Sequence, residues 1–397
     1  MPPPFMSPLE PELRRDLANL AARGLLRRLR AIDSAPDTLL LVDGKTVLNF
    51  SSNNPLALAH HPELRASAQA ALHSHGTGAA AARLIAGNLT PHRELERALA
   101  SWLGTEAALL FNSGYQANVG TVSALVGPED AIYSDQLNHA SLIDGCRLSG
   151  ATIHVYPHRD AAALARLLAQ GQGRFRRRLL LSESLFSMDG DLAPLGALRD
   201  LAHRYDAILM VDEAHAAGVR GPAGRGLAAE LGVPLDICVG TLSKAFGSFG
   251  AYVAGSAALV EYLTQCARSF VFTTALPPAV AAASHAAVTL AAGAEGTARR
   301  AQLQQVATRF ADGLAALGLP APRGRWSHIV PIVIGDATAA MHACEALLER
   351  GIFAQGIRPP TVPRGTARLR FALSSAHTDP DIERALAALA DIRGLLP

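Results

Sequence analysis

Between Pro62 and Pro234 the chain switches repeatedly between two periods. Helical spacing is expected at 62–74, 91–102, 115–125, 139–148, 160–169 and 194–204. Strand-length apolar runs alternate with these at 106–111, 130–134, 151–155, 178–182 and 207–211, and two more follow at 236–240 and 250–254. Strands joined by helical crossovers pair in parallel, and such sheets are buried on both faces. The alternation therefore points to the α/β class: a mostly parallel seven-stranded sheet covered by helices. At 397 residues, 49% hydrophobic and only 18% charged, the chain can bury a large core, and wholesale disorder is excluded.

The flanks differ. Residues 9–31 carry Leu9, Leu13, Leu17, Leu20, Ala21, Leu25 and Leu29 at near-helical spacing, an amphipathic helix. Arg27, Arg28 and Arg30 would then cluster at its end, where cations suit the helix dipole. Asp43-Gly44 between two β-like runs is a hairpin signal, and Asn53-Asn54-Pro55 turns the chain out of it. After Pro277-Pro278 come alanine-rich helices to about residue 317, then β runs near 328–334, 352–354 and 367–371 and helices at 338–350 and from Asp379. The expected organisation is an N-terminal helix and hairpin arm (1–58), a large α/β domain (59–290) and a small α+β C-terminal domain (291–397).

Several function classes are set aside. A formal charge of +2 argues against nucleic acid or a membrane surface as partner. The basic cluster Arg174 with Arg176 to Arg178 reads as a solvated loop before a strand. Cys146, Cys238, Cys266 and Cys344 show no metal-ligand spacing, so no metal is expected, and they suit a reducing compartment. The stretch MPPPFMSPLEPELRR lacks a signal-length apolar core, and the alanine-rich window 279–294 is too short to span a bilayer. A cytoplasmic location is expected.

Chemistry concentrates at two strand ends. The run Ile208 to Val211 ends in Asp212, Glu213 and His215, and the run Asp236 to Gly240 ends in Thr241, Ser243 and Lys244. In a parallel sheet, ligands sit outside the carboxyl ends of the strands. Singly, an acid there is an ordinary helix cap and a lysine an ordinary surface charge. Together they suit pyridoxal phosphate, with the lysine forming a Schiff base and the carboxylate keeping the ring nitrogen protonated. Phe111-Asn112-Ser113-Gly114-Tyr115-Gln116 lies where a strand gives way to a helix, whose first N–H groups suit a phosphate.

DEAH followed by TLSKAFG resembles the cofactor-lysine region of the fold-type I pyridoxal-phosphate enzymes, and within them the α-oxoamine synthases. The resemblance runs from Asn49-Phe50-Ser51-Ser52-Asn53 to Ala376-His377-Thr378 and makes 59–290 the cofactor-binding domain. It implies that Lys244 tethers the cofactor, Asp212 faces the ring nitrogen, and Gly114, Tyr115 and Thr241 hold the phosphate. His139 would stack on the ring and bond the substrate carboxylate. Ser187 and His215 would hold the phenolic oxygen, with Asp189 and Asp191 as turn residues. Thr274, in Phe272 to Pro278, would reach the phosphate of a neighbouring subunit, so a homodimer with shared sites is implied.

The segment Ile357 to Arg370 resembles the alanine-using branch of that family, which joins L-alanine to a pimeloyl thioester in biotin synthesis. There Arg27, Arg358 and Thr361 would contact substrate, with His139. Two stretches depart from the family pattern: Asn54-Pro55 after SSN, and alanines at 79–82 in a loop that the resemblance places near the acyl path. The carrier, coenzyme A or a carrier protein, stays open. Other readings are a glycine-using α-oxoamine synthase and an aminotransferase on the same fold. A dinucleotide oxidoreductase lacks its motif, since Gly76-Thr77-Gly78 has no third glycine. An interaction protein would leave Lys244 without a task.

Overall fold

Leucine periodicity carries the first helix only as far as Ala22. The computed structural model describes residues 9–321 and 326–397, so the first eight residues of the expected arm lie outside the described residues. The chain divides into two compact units, one of Met1–Ser52, Val306–Leu373 and His377–Pro397, the other of Asn53–Gln305 and Ser374–Ala376.

In the first unit, α1 (Glu10–Ala22) ends where Gly24 takes φ +65°, a conformation glycine adopts without strain. The N–H groups of Gly24 and Leu25 close onto Ala21 and Leu20 carbonyls at 3.0 and 2.9 Å. The expected helix through residue 31 is thus corrected. Arg27, Arg28 and Arg30 lie beyond the helix, and Arg30 pairs with Asp43 and Glu345 instead of a helix dipole. Strands β1 (Leu39–Val42) and β2 (Lys45–Asn49) form the expected hairpin, with Asp43 and Gly44 both at positive φ.

The second unit follows the alternation closely. In chain order it runs α2 (Pro62–His75), α3 (Thr90–Leu103), β3 (Ala107–Phe111), α4 (Gly114–Leu125), β4 (Ala131–Asp135), α5 (Ala140–Ser149) and β5 (Thr152–Tyr156). Strands β6 (Arg178–Glu183), β7 (Ile208–Asp212), β8 (Ile237–Thr241) and β9 (Ala251–Gly255) complete one seven-stranded sheet. Its order is β3-β9-β8-β7-β6-β4-β5, with only β9 antiparallel to its neighbours. Leu179, Leu181, Met210, Val239 and Val253 are buried together under α4 and α5 side chains such as Ala117, Val122 and Leu142. Each such side chain contributes about 1.5–3 kcal/mol by leaving water. Register places Glu183 opposite Asp212, and Asp212 opposite Val239.

The remaining strands belong to the first unit. β10 (Ile329–Gly335), β13 (Ala367–Ala372) and β12 (Gln355–Ile357) form an antiparallel sheet, and β11 (Ile352–Phe353) adds in parallel to β2. The small C-terminal α+β lobe of the expectation is present, and β12 is an addition three residues long. Among the described residues, no helix is long and apolar enough to cross a membrane.

Candidate active site

Asp212 closes β7, almost wholly buried, and its two oxygens are held by different parts of the chain. Oδ1 accepts the Ala214 N–H at 2.9 Å, and Oδ2 accepts Nδ2 of Asn118 at 2.7 Å. Asn118 sits inside α4 and gives its other amide hydrogen to Oγ of Ser141 at 2.9 Å. Ser141 lies 2.7 Å from Nδ1 of His139, and its backbone N–H also donates to Nδ1, at 3.2 Å. Nδ1 therefore accepts, which leaves the ring proton of a neutral His139 on Nε2. Burial holds this imidazole below the ordinary histidine range, as does the Lys244 charge, against the pull of Asp212. A neutral ring at physiological pH results.

Lys244 follows β8, and its Nζ lies 2.9 Å from Nε2 of His215. Thr241 bonds the Gly250 carbonyl at 3.0 Å and Oγ of Ser243 at 2.7 Å. The first turn of α4 begins at Gly114 behind a Ser113 cap, whose Oγ accepts from Gln116. A Cβ built on Gly114 would lie 3.9 Å from the Thr241 side chain, which puts the start of α4 beside that hydroxyl. Tyr115 turns its phenol to Asp144 at 2.6 Å, so what it offers a ligand is its backbone N–H.

Ser187 is buried, and its N–H donates to Oε2 of Glu183 at 3.2 Å. Burial, and next the Asp212 charge, push the Glu183 carboxyl up to about 8. It is uncharged at neutral pH. The neighbouring acid of the DEAH run does something else. Glu213 accepts the N–H groups of Leu227 and Ala228 at 3.0 and 2.8 Å and the Ser184 hydroxyl at 2.6 Å. It thereby caps the short helix Leu227–Leu231 from inside the core. A Cβ at Gly226 would fall 2.7 Å from that carboxyl, which only glycine avoids. Glu213 is thus held by the fold, which leaves Asp212 as the candidate site acid.

Thr274 is exposed; its backbone carbonyl accepts from Asn112 at 2.8 Å, just before the α4 turn. The other three expected substrate residues come together in the first unit. Nη2 of Arg27 lies 3.4 Å from both Oγ1 of Thr361 and the Pro359 carbonyl. Arg358 is buried and donates to the Leu26 carbonyl at 2.7 Å. Burial, and then the Arg27 charge, lower its pKa.

Sequence reasoning missed Asn118, Ser141 and Glu183. Buried oxygens of Gln116, Asn118 and Glu183 have no partner among the described residues. Such orphans, an amine, a seated carboxylate and an open helix N-terminus fit a phosphorylated nitrogen heterocycle carrying an aldehyde. Lys244 would hold the aldehyde carbon, Asp212 the ring nitrogen, and Gly114 and Thr241 the phosphate. That fold and that donor set define the class, a fold-type I pyridoxal-phosphate enzyme.

Comparison with known proteins narrows it. The profile described as "Aminotransferase class I and II" matches residues 45–389. The chain is 50% identical over 379 residues to an 8-amino-7-oxononanoate synthase from Citrifermentans bemidjiense, covering 95% of this chain and 97% of that one. It is 50% identical to another from Anaeromyxobacter sp., over 96% of this chain and 95% of that one. Among solved structures, a Sphingomonas wittichii serine palmitoyltransferase superposes with TM-score 0.91 at 30% identity, covering 100% of both chains. An 8-amino-7-oxononanoate synthase from Francisella tularensis superposes at TM-score 0.75 and 30% identity, over 88% of this chain and 98% of that one. The chain belongs to the 8-amino-7-oxononanoate synthase family within the class I and II aminotransferase fold, and it is a pyridoxal-phosphate-dependent acyltransferase of biotin biosynthesis.

Proposed function

We propose that this enzyme condenses L-alanine with a pimeloyl thioester, yielding 8-amino-7-oxononanoate, carbon dioxide and free thiol. The observation that carries the reading is half identity along 95% of the chain to enzymes named for that product. The local geometry supports it.

When bound, the cofactor supplies an electron sink for a carbanion at the substrate α-carbon. Lys244 Nζ is the group that anchors it and, once released, carries the α-proton away from substrate carbon. Asp212, fixed by Asn118 and the Ala214 N–H, presents an anion to the ring nitrogen without having to reorganise. His139, neutral and with its proton on Nε2, donates to the substrate carboxylate and releases it when that carboxylate leaves as carbon dioxide. His215 and Ser187 hold the phenolic oxygen, and His215 also orients Lys244 from 2.9 Å. Gly114, the Tyr115 N–H and Thr241 take the phosphate, joined by Thr274 of a second subunit in a homodimer. Arg27, Thr361 and Arg358 are assigned to the acyl substrate. We place the enzyme in the cytoplasm, with no nucleic-acid or membrane partner.

A substrate panel tests the reading. L-Alanine and glycine are offered with pimeloyl, acetyl and succinyl thioesters, the pimeloyl group on either coenzyme A or a carrier protein, and products are weighed. Alanine with a pimeloyl thioester is expected to turn over fastest, with one carbon dioxide per product. Preference for glycine, or turnover without carbon dioxide, overturns it.

A further inference from the structure

We propose that His158 is a positioning residue for the cofactor site: its ring clasps the loop carrying His139 to the loop carrying Ser187. The inference rests on the assignment of those two residues to the cofactor and substrate. Its grounds are four groups brought to one point by three loops of the larger unit. His158 comes two residues after β5, in Pro157-His158-Arg159-Asp160. Its Nδ1 is 2.9 Å from Oδ1 of Asp135, and its Nε2 is 2.9 Å from Oδ2 of Asp191.

Each acid governs one loop. Asp135 ends β4, four residues before His139, and is almost completely buried. Its oxygens also accept the backbone N–H groups of Leu137 at 2.9 Å and Arg159 at 2.8 Å. That folds the start of the 136–139 loop back onto the acid. Asp191 lies four residues after Ser187, and its carbonyl accepts the Phe186 N–H at 3.0 Å. The Gly190 N–H closes onto the Phe186 carbonyl at 2.9 Å, so the turn around Ser187 is fixed at its mouth. Phe186 itself stands edge-on to the His158 ring, with centroids 4.4 Å apart.

Both ring nitrogens thus face a carboxylate oxygen. Only the doubly protonated ring donates to both; a neutral ring would set one lone pair against another. The charged groups around it are Asp135 from β4, Asp191 from the Ser187 loop, and Arg159, which also binds Asp191 at 2.8 Å. Burial opposes the positive charge, but the hydrogen bonds to Asp135 and then Asp191 outweigh it and lift the ring to about 9. An imidazolium at neutral pH locks two loops that approach the same strand ends from different crossovers. Losing either bond lets Ser187 and His139 drift apart while the sheet beneath stays intact.

The test uses the holoenzyme and two readouts. The first is the rate at which bound cofactor is released on dialysis, with the visible absorption band followed in parallel, for parent, His158→Gln, Asp191→Asn and Ser187→Ala. Release is expected to quicken about tenfold or more in all three variants, with the absorption band displaced and far-ultraviolet circular dichroism unchanged. The second is nitrogen-15 histidine spectroscopy, in which the His158 ring is expected to keep both protons at pH 8. Asp191→Asn serves where His158→Gln fails to fold. If Ser187→Ala quickens release and Asp191→Asn and His158→Gln do not, the clasp is overturned while the site assignment stands. If Ser187→Ala also releases at the parental rate, the site assignment fails and the clasp with it. A His158 ring carrying one proton at pH 7 overturns the clasp directly.

Discussion

Asn118 reaches in from α4 to place its Nδ2 2.7 Å from Oδ2 of Asp212. The same amide nitrogen meets Ser141, which meets His139, so the two faces of the site are joined by an unbroken run of side chains. The acid proposed for the ring nitrogen and the histidine proposed for the substrate carboxylate are thus set by one residue. Replacing it with Asn118→Leu removes a hydrogen bond to a charged group, worth about 1.5–3 kcal/mol. kcat/KM is expected to fall about 10- to 100-fold, with a changed absorption band of the holoenzyme. Steady-state kinetics within twofold of the parent would contradict the arrangement.

Adjacent acids should separate cleanly. Asp212→Ala is expected to lose most activity, about 100-fold or more, and, stranding two donors against three for Glu213, to cost less stability than Glu213→Ala. Glu213→Ala strands two backbone N–H groups and a buried hydroxyl, each costing about 1–3 kcal/mol. It should lower stability by at least about 3 kcal/mol and leave turnover per folded molecule near the parent value. Denaturant midpoints measured beside active-site titration decide, and the reverse pattern would exchange the two roles.

With Lys244 proposed as the anchoring amine, borohydride treatment of the holoenzyme should fix the cofactor's mass on the peptide bearing Lys244. Lys244→Ala is expected to lose that label and at least about 100-fold of activity. Peptide mass analysis reads both. A label found on any other lysine defeats the assignment.

Glu183 makes stability depend on pH in a definite direction. Its folded pKa, about 8, is raised above the ordinary 4.5, so the folded state holds this proton more tightly than the unfolded chain does. The stability this contributes is fully present below pH 4.5 and is lost as pH rises through about 8. Glu183→Gln, which stays neutral, should lose less stability than the parent between pH 6 and pH 9 in denaturant titrations. Parallel curves for the two proteins would refute a protonated Glu183.

The strand ends were legible because burial on both faces makes each strand an apolar run, and a polar residue closing such a run stands out. Asp212, Thr241 and Lys244 stand out that way, whereas His139 after β4 is marked only by the family resemblance. Asn118 gave no such sign, lying mid-helix among small residues, 94 positions from the acid it supports. His158 was hidden for the same reason: it bonds Asp135 and Asp191 across elements remote in sequence, and no local period records that. The overlong first helix failed differently. Leu25 and Leu29 keep the leucine spacing past Gly24, but a glycine at positive φ ends the helix whatever follows.

Arg27 and Arg358, both proposed for the acyl substrate, differ in exposure and therefore in what their loss should cost the fold. Arg27 is exposed and, among the described residues, its hydrogen bonds are long, at 3.4 Å, to Thr361 and Pro359. Little folding energy depends on it, so Arg27→Ala should leave the thermal midpoint within a degree or two. If it meets the acyl substrate, KM for the thioester should rise about tenfold, the worth of one charged contact, with kcat within twofold. Thr361→Ala should act on the same constant, and the double variant should fall short of the sum because the two side chains touch. Arg358 is buried against the Leu26 carbonyl, so Arg358→Ala should lower the thermal midpoint as well. An Arg27→Ala enzyme with parental KM for every thioester tried would remove Arg27 from the substrate site and leave it as a surface charge.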